Sequence, residues 1–171
     1  MWWNRLWLTC LLTGGMALLG GGAMRAVALF SVFRPFTVEI EPSLTPVERL
    51  QSYRIVASGS PYVWVGGMLF FVGVGGSVVR RWRQVRRQGW VLMAAVLAVL
   101  ALLVELWILL RFDIPLVRSF SVATPTVELV ERLILERVHM GGAVATLAAL
   151  AEWTIVLLFI WRPLERDQHE S

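Results

Sequence analysis

The chain of 171 residues contains no lysine; all 16 basic residues are arginine. That absence excludes Schiff-base chemistry, a catalytic amine and a P-loop lysine. Cysteine occurs once, as Cys10, which excludes an intrachain disulfide and a thiolate metal cluster. In its apolar run Cys10 is expected to act as a small packing residue. Histidine occurs only as His139 and His169, and charged residues make up 16% of the chain. Gly-x-Ser-x-Gly, His-Glu-x-x-His and dinucleotide-binding fingerprints are all missing. What is present is apolar. Hydrophobic residues reach 57% and mean hydropathy is +0.68, against about 45–50% apolar in soluble domains. The excess marks a membrane protein.

A helical span needs about 20 apolar residues. Four stretches qualify, at about 6–33, 61–79, 90–110 and 138–161. They predict one domain over 1–171, an all-α integral membrane four-helix bundle with short helical caps on the outer face. Residues 1–24 lack a clean small-residue cleavage site, so the first span is expected to stay uncleaved. Thr45-Pro46-Val47-Glu48 reads as a capping box with proline at the first helical position. It predicts a short helix from Pro46 to Ala57, followed by a second span opening at Pro61. Gly14, Gly15, Gly20, Gly21 and Gly22 in the first span, and Gly66, Gly67, Gly73, Gly75 and Gly76 in the second, predict close helix approach. Residues 124–162 predict one long helix that starts at Thr124-Pro125 as an outer cap and ends as the fourth span. The two halves echo each other, Val47-Glu48-Arg49-Leu50 against Val130-Glu131-Arg132-Leu133.

Residues 80–89, RRWRQVRRQG, carry Arg80, Arg81, Arg83, Arg86 and Arg87 with no acid. Positive residues hold short loops in the cytoplasm, so both termini are expected there, in a bacterial-type inner membrane. The arginine run then anchors the chain to anionic lipid or to a partner. The net charge of +4 is accounted for in this way and signals no nucleic-acid binding.

Few side chains carry chemistry. Glu105 and Glu152 fall inside the spans and His139 at an edge; Arg25 is intramembrane if the first helix continues to Phe33, or snorkels from the span's end if that span stops near Met24. A charge in hydrocarbon costs about 2.5–3.5 kcal/mol, which predicts an Arg25–Glu105 ion pair at matching depth, with Glu152 halfway along the fourth span. Glu128, Arg132, Glu136 and His139 recur at helical spacing, as an interfacial face or as a base, His139, oriented by Glu136. No cofactor is predicted. A haem with two histidine ligands would need a second intramembrane histidine, and a carboxylate di-metal site a second Glu-x-x-His. Pigment ligation by His139, with Gly141 and Gly142 leaving room, is the lesser alternative.

Arg34-Pro35, Asp113-Ile114-Pro115-Leu116-Val117 and His139 followed by Gly142 form a pattern. It resembles the anthrone oxygenase-like family of small four-span membrane proteins. That family has His-Pro, Asn-Val-Pro-Leu-Asn and a histidine followed three residues later by arginine at the corresponding places. The prolines and His139 match; positions 34, 113, 117 and 142 differ. The resemblance implies an outer-face pocket and, in some members, cofactor-free oxidation of a polycyclic phenol. Here His139 would be the base, with Asp113 or Glu136 orienting it.

Three function classes follow. The favoured one is a non-catalytic accessory or structural subunit of a larger respiratory or photosynthetic membrane complex, with lipid and other membrane subunits as partners. The nine tryptophans and the thin chemical inventory support it. The second is the oxidoreductase that the resemblance implies. The third is a small transporter, which requires Arg25, Glu105 and Glu152 to line one connected polar path.

Overall fold

The capping box at Thr45 forms as its residues dictate. Thr45 Oγ1 accepts from the Glu48 backbone N–H at 3.3 Å, and the Glu48 carboxylate accepts from the Thr45 N–H at 2.8 Å. The computed structural model describes residues 2–34, 37–82, 88–122 and 125–161, without the side chains of 2–4 and 122. Helix α1 is Trp2–Phe30. The helix begun at Thr45, α2, runs unbroken over Pro46–Arg80 with Pro61 inside it. The expected break between a short cap helix and a second span is therefore absent. A proline withholds the N–H that the Ala57 carbonyl would receive. Beside it the Ser58 and Ser60 hydroxyls donate to the carbonyls of Ile55 and Val56. Prolines are tolerated inside membrane helices, and the helix here continues through Pro61.

The second half has longer helices than expected as well. α3, Gly89–Ile108, passes through a π-helical turn, Leu109–Asp113, into α4, Ile114–Val122. The outer connection expected after residue 110 is thus a continuation of the third span. The Ile114 N–H reaches back five residues to the Leu109 carbonyl. That wider turn lets Pro115 fall in the first turn of α4, where its missing N–H is tolerated. α5, Val127–Glu136, passes through a second π turn, Arg137–Gly141, into α6, Gly142–Trp161. This is the single long helix expected, begun at Thr126 as N-cap; Thr124 and Arg162 lie outside the described residues.

Among the described residues, four helices are long and apolar enough to cross a membrane: Arg5–Phe30, Pro46–Arg80, Gly89–Ser121 and Val127–Trp161. Only 22–33% of their most apolar windows is buried, and the outward side chains include Met16, Val27, Met68, Val99, Leu103, Leu147 and Ile160. An apolar exterior of that extent belongs in lipid. The chain is an all-α, multi-pass membrane protein. A 35-residue helix is about 52 Å long, against about 30 Å of hydrocarbon. The excess length of α2 and of α5–α6, with α4 and residues 31–34 and 37–45, builds a cap at one end. Tyr53, Val56, Leu116, Val130 and Ile134 form its core. Arg49 and Glu131 join the two echoed segments through a 2.5 Å ion pair. The other end, here the linker face, holds the start of α1, the end of α2, the start of α3 and the end of α6. There Trp90 packs edge-on against Phe159 and under the Arg81 guanidinium.

α1 and α2 approach to backbone contact. A Cβ at Gly66 would lie 2.6 Å from the Leu18 nitrogen, and one at Gly14 2.8 Å from the Gly66 carbonyl oxygen. Gly73 and Gly76 meet the Leu11 backbone and the Trp7 ring in the same way. Gly20, Gly22 and Gly75 have nothing within 4 Å and take no part in the contact. The expected glycine packing therefore holds for one face of each helix. Gly66→Ala should cost about 1–3 kcal/mol by overpacking, whereas Gly75→Ala should stabilise by about 0.5–1 kcal/mol through helix propensity. Reversible unfolding in mixed micelles measures both, and effects of the same sign would contradict the packing described.

Candidate functional site: a charged cleft between the helix pairs

Arg25 lies on the face of α1 turned to the bundle. Its stem crosses α2 at Gly59, where a Cβ would come within 3.1 Å of the Arg25 Cγ. Its guanidinium donates through Nη1 to Asp113 Oδ2 at 3.0 Å and through Nη2 to Asp113 Oδ1 at 2.6 Å. Arg137 donates through Nε to the same Oδ1 at 3.2 Å. The expected partner of Arg25, Glu105, is therefore replaced by Asp113. The cause is the helix that continues past residue 110. It carries position 113 about 12 Å beyond position 105, level with Arg25, and offers a carboxylate that takes the guanidinium in two-pronged fashion. Arg25 and Asp113 are 5% and 3% exposed. The buried Trp64 indole N–H faces the same carboxylate without reaching hydrogen-bond geometry.

Below this cluster opens a cavity of about 390 Å³. Arg25, Glu105, Asp113, Arg137 and Glu152 all line it, among small and apolar residues of α1, α3 and α6. Glu105 lies within electrostatic reach of Asp113, Arg137 and Arg25, and Glu152 within reach of Glu105. Glu152 is 2% exposed, and its Oε1 has no hydrogen-bond partner among the described residues. Counted from Trp161, Glu152 lies about 14 Å along the helix, near the middle of a hydrocarbon layer about 30 Å thick. Arg137, about 36 Å from Trp161, stands at the cap-side edge. The cavity thus runs from a charged layer at the membrane boundary to a single carboxyl at mid-depth.

The other candidate residues fall elsewhere. His139 is exposed, with Nδ1 2.9 Å from the Leu135 carbonyl oxygen. It shares a shallow groove on the outside of α5 with Glu128, Arg132 and Glu136. Glu136 and His139 are thereby neighbours, while Asp113 belongs to the cleft. Gly141 packs under Phe112, and Gly142 lines the cleft. Arg80 ends α2 and Arg81 follows it; Arg83, Arg86 and Arg87 lie outside the described residues. No group of three His, Cys, Asp or Glu side chains among the described residues is placed to hold a metal ion.

Arg137 escapes a reading by charge alone, yet it carries a signal. It follows buried Val130 and Ile134 by seven and three residues, which places a guanidinium on the apolar face of the helix. No family model matches the chain, and no curated protein or solved structure matches it significantly. Function is therefore read from the geometry.

Asp113→Asn would leave the buried Arg25 and the half-buried Arg137 without their shared counter-charge and should cost about 3–5 kcal/mol. Glu105→Gln breaks no ion pair and should cost far less. Chemical unfolding of both variants tests this, and equal losses would remove Asp113 from the centre of the cluster.

Proposed function

We propose that the protein is a small membrane carrier that holds a charged or polar solute in the cleft between its helix pairs. One observation carries the reading: Arg25, Glu105 and Glu152, together with Asp113 and Arg137, line a single cavity at membrane depth. Ionisable groups in a membrane interior are costly and commonly mark solute or proton paths. Below Glu152 the seam is filled by Leu11, Phe70, Ala94, Ala98 and Ile155, so the cavity is a chamber closed towards the linker face and not a pore. Arg80 and Arg81 at that face support a cytoplasmic placement by the positive-inside rule, which would put the charged end of the chamber on the outer side of the membrane.

A second reading, the non-catalytic subunit of a larger membrane assembly, draws support from the outward groove of Glu128, Arg132, Glu136 and His139. Its polar side chains sit beside an apolar belt and would suit a partner chain. The phenol-oxidising chemistry implied by the family resemblance gains nothing from this placement, because His139 faces outwards and away from Asp113.

The carrier reading predicts that the cleft admits polar reagents. With Cys10 replaced by serine, Ala149→Cys in the cleft wall should react with a charged, membrane-impermeant thiol reagent several-fold faster than Leu150→Cys. Leu150 is its exposed neighbour on the lipid side. Equally slow modification of the two would sink the carrier reading, since a thiol ionises and reacts only where water reaches it.

A further inference from the structure

The cleft is unbalanced in charge. Both of its arginines, Arg25 and Arg137, are engaged with Asp113. Glu105 and Glu152 line the same space and form no ion pair among the described residues. Glu152 is the more isolated, nine-tenths buried and more, with Oε1 unpartnered. A buried carboxylate without a partner is costly, and a positive centre beside it would offset that cost.

The cleft also opens sideways. Its lining includes Ala23 and Phe30 of α1 and Thr146 and Trp153 of α6, all of them exposed on the lipid-facing surface. A Cβ at Gly22 or Gly142 would meet no atom within 4 Å. α1 and α6 therefore leave a gap between them at the level of the hydrocarbon. Leu19, Ala26 and Ala149 make the walls apolar. Trp153 stands at the mouth, an aromatic face of the kind that attracts cations.

We propose that the cleft binds a lipophilic organic cation that enters sideways from the bilayer. Its positive centre sits at Glu105 and Glu152, and its apolar body lies between α1 and α6. Charge complementarity selects the sign, and the lateral mouth selects the solubility. The carboxylates hold the cation by charge-assisted contacts, and the Arg25–Asp113–Arg137 layer closes the chamber at the cap end. This inference rests on the carrier reading and names its substrate class.

The test uses the full chain in lipid nanodiscs and three probes. Tetraphenylphosphonium is a lipophilic cation, tetraphenylborate has the same shape with opposite charge, and tetramethylammonium has the same charge without the apolar body. Radiolabelled phosphonium should be retained above empty discs, borate should not, and tetramethylammonium should compete poorly. Glu152→Gln should weaken phosphonium binding about tenfold, the loss of one ion–ion attraction. Glu105→Gln should weaken it in the same direction and serves as the deciding variant if Glu152→Gln does not elute like the wild type. Equal retention of borate, equal competition by tetramethylammonium, or phosphonium binding unchanged in both variants overturns the proposal. If phosphonium is not retained while Ala149→Cys still reacts readily, the cation class fails and the chamber stands. If Ala149→Cys is as inert as Leu150→Cys, the chamber itself is wrong.

Discussion

One carboxylate, Asp113, ties the cap end of the bundle together. It accepts from Arg25 on α1 and from Arg137 on the turn that leads into α6, while standing on the continuation of α3. Three helices that the chain could otherwise splay are held in one register there. The net gain in stability from such a buried cluster is small, because removing three charges from water nearly cancels their attraction. Its larger effect is on arrangement: any slip of α1 against α3 or α6 would leave a buried charge unpaired.

The cavity follows from uneven packing. α1 and α2 meet backbone to backbone through Gly14, Gly66 and Gly73, and α3 and α6 pack closely through Ala94, Ala98, Ile155 and Leu158. Between the two pairs, α1 and α6 touch sparsely. Towards the linker face Leu11, Phe70 and Val74 fill the seam. Towards the cap the side chains shrink to Gly22, Ala26, Gly142 and Ala145, and space opens. The charged residues gather where that space is. A helix pair zipped by glycines thus leaves an incompletely filled seam beside it, and polar side chains occupy its walls.

The two π-helical turns place the chemistry. Each lies in a long helix at the cap-side boundary, and each carries one member of the cluster, Asp113 in the first and Arg137 in the second. Phe112, paired edge-on with Trp107, lies over Gly141, so the two turns are packed against each other. A wide turn shifts the residues beyond it around the helix axis. That shift turns Asp113 inwards and accommodates Pro115 at the same time.

The sequence by itself determined the class of molecule: four apolar runs, a run of arginines in the linker, glycine-rich helix faces and a capping box at Thr45. These are local properties, set by transfer of side chains into lipid and by hydrogen bonds a few residues apart. It also marked Arg25, Glu105 and Glu152 as intramembrane charges, because an ionisable residue in an apolar run is visible without a fold. What only the tertiary structure decided is which charges meet. Asp113 reads as part of an outer loop until α3 is seen to continue through it, and Arg137 reads as one more charge on an amphipathic helix until its neighbours Val130 and Ile134 are seen to face inwards. His139 drew attention as the only histidine near a span, yet its helix turns it outwards. The pairing of Arg25 with Asp113 and not with Glu105 depends on a turn of five residues instead of four, and on helices from different parts of the chain meeting at one depth, a relation that no local pattern encodes.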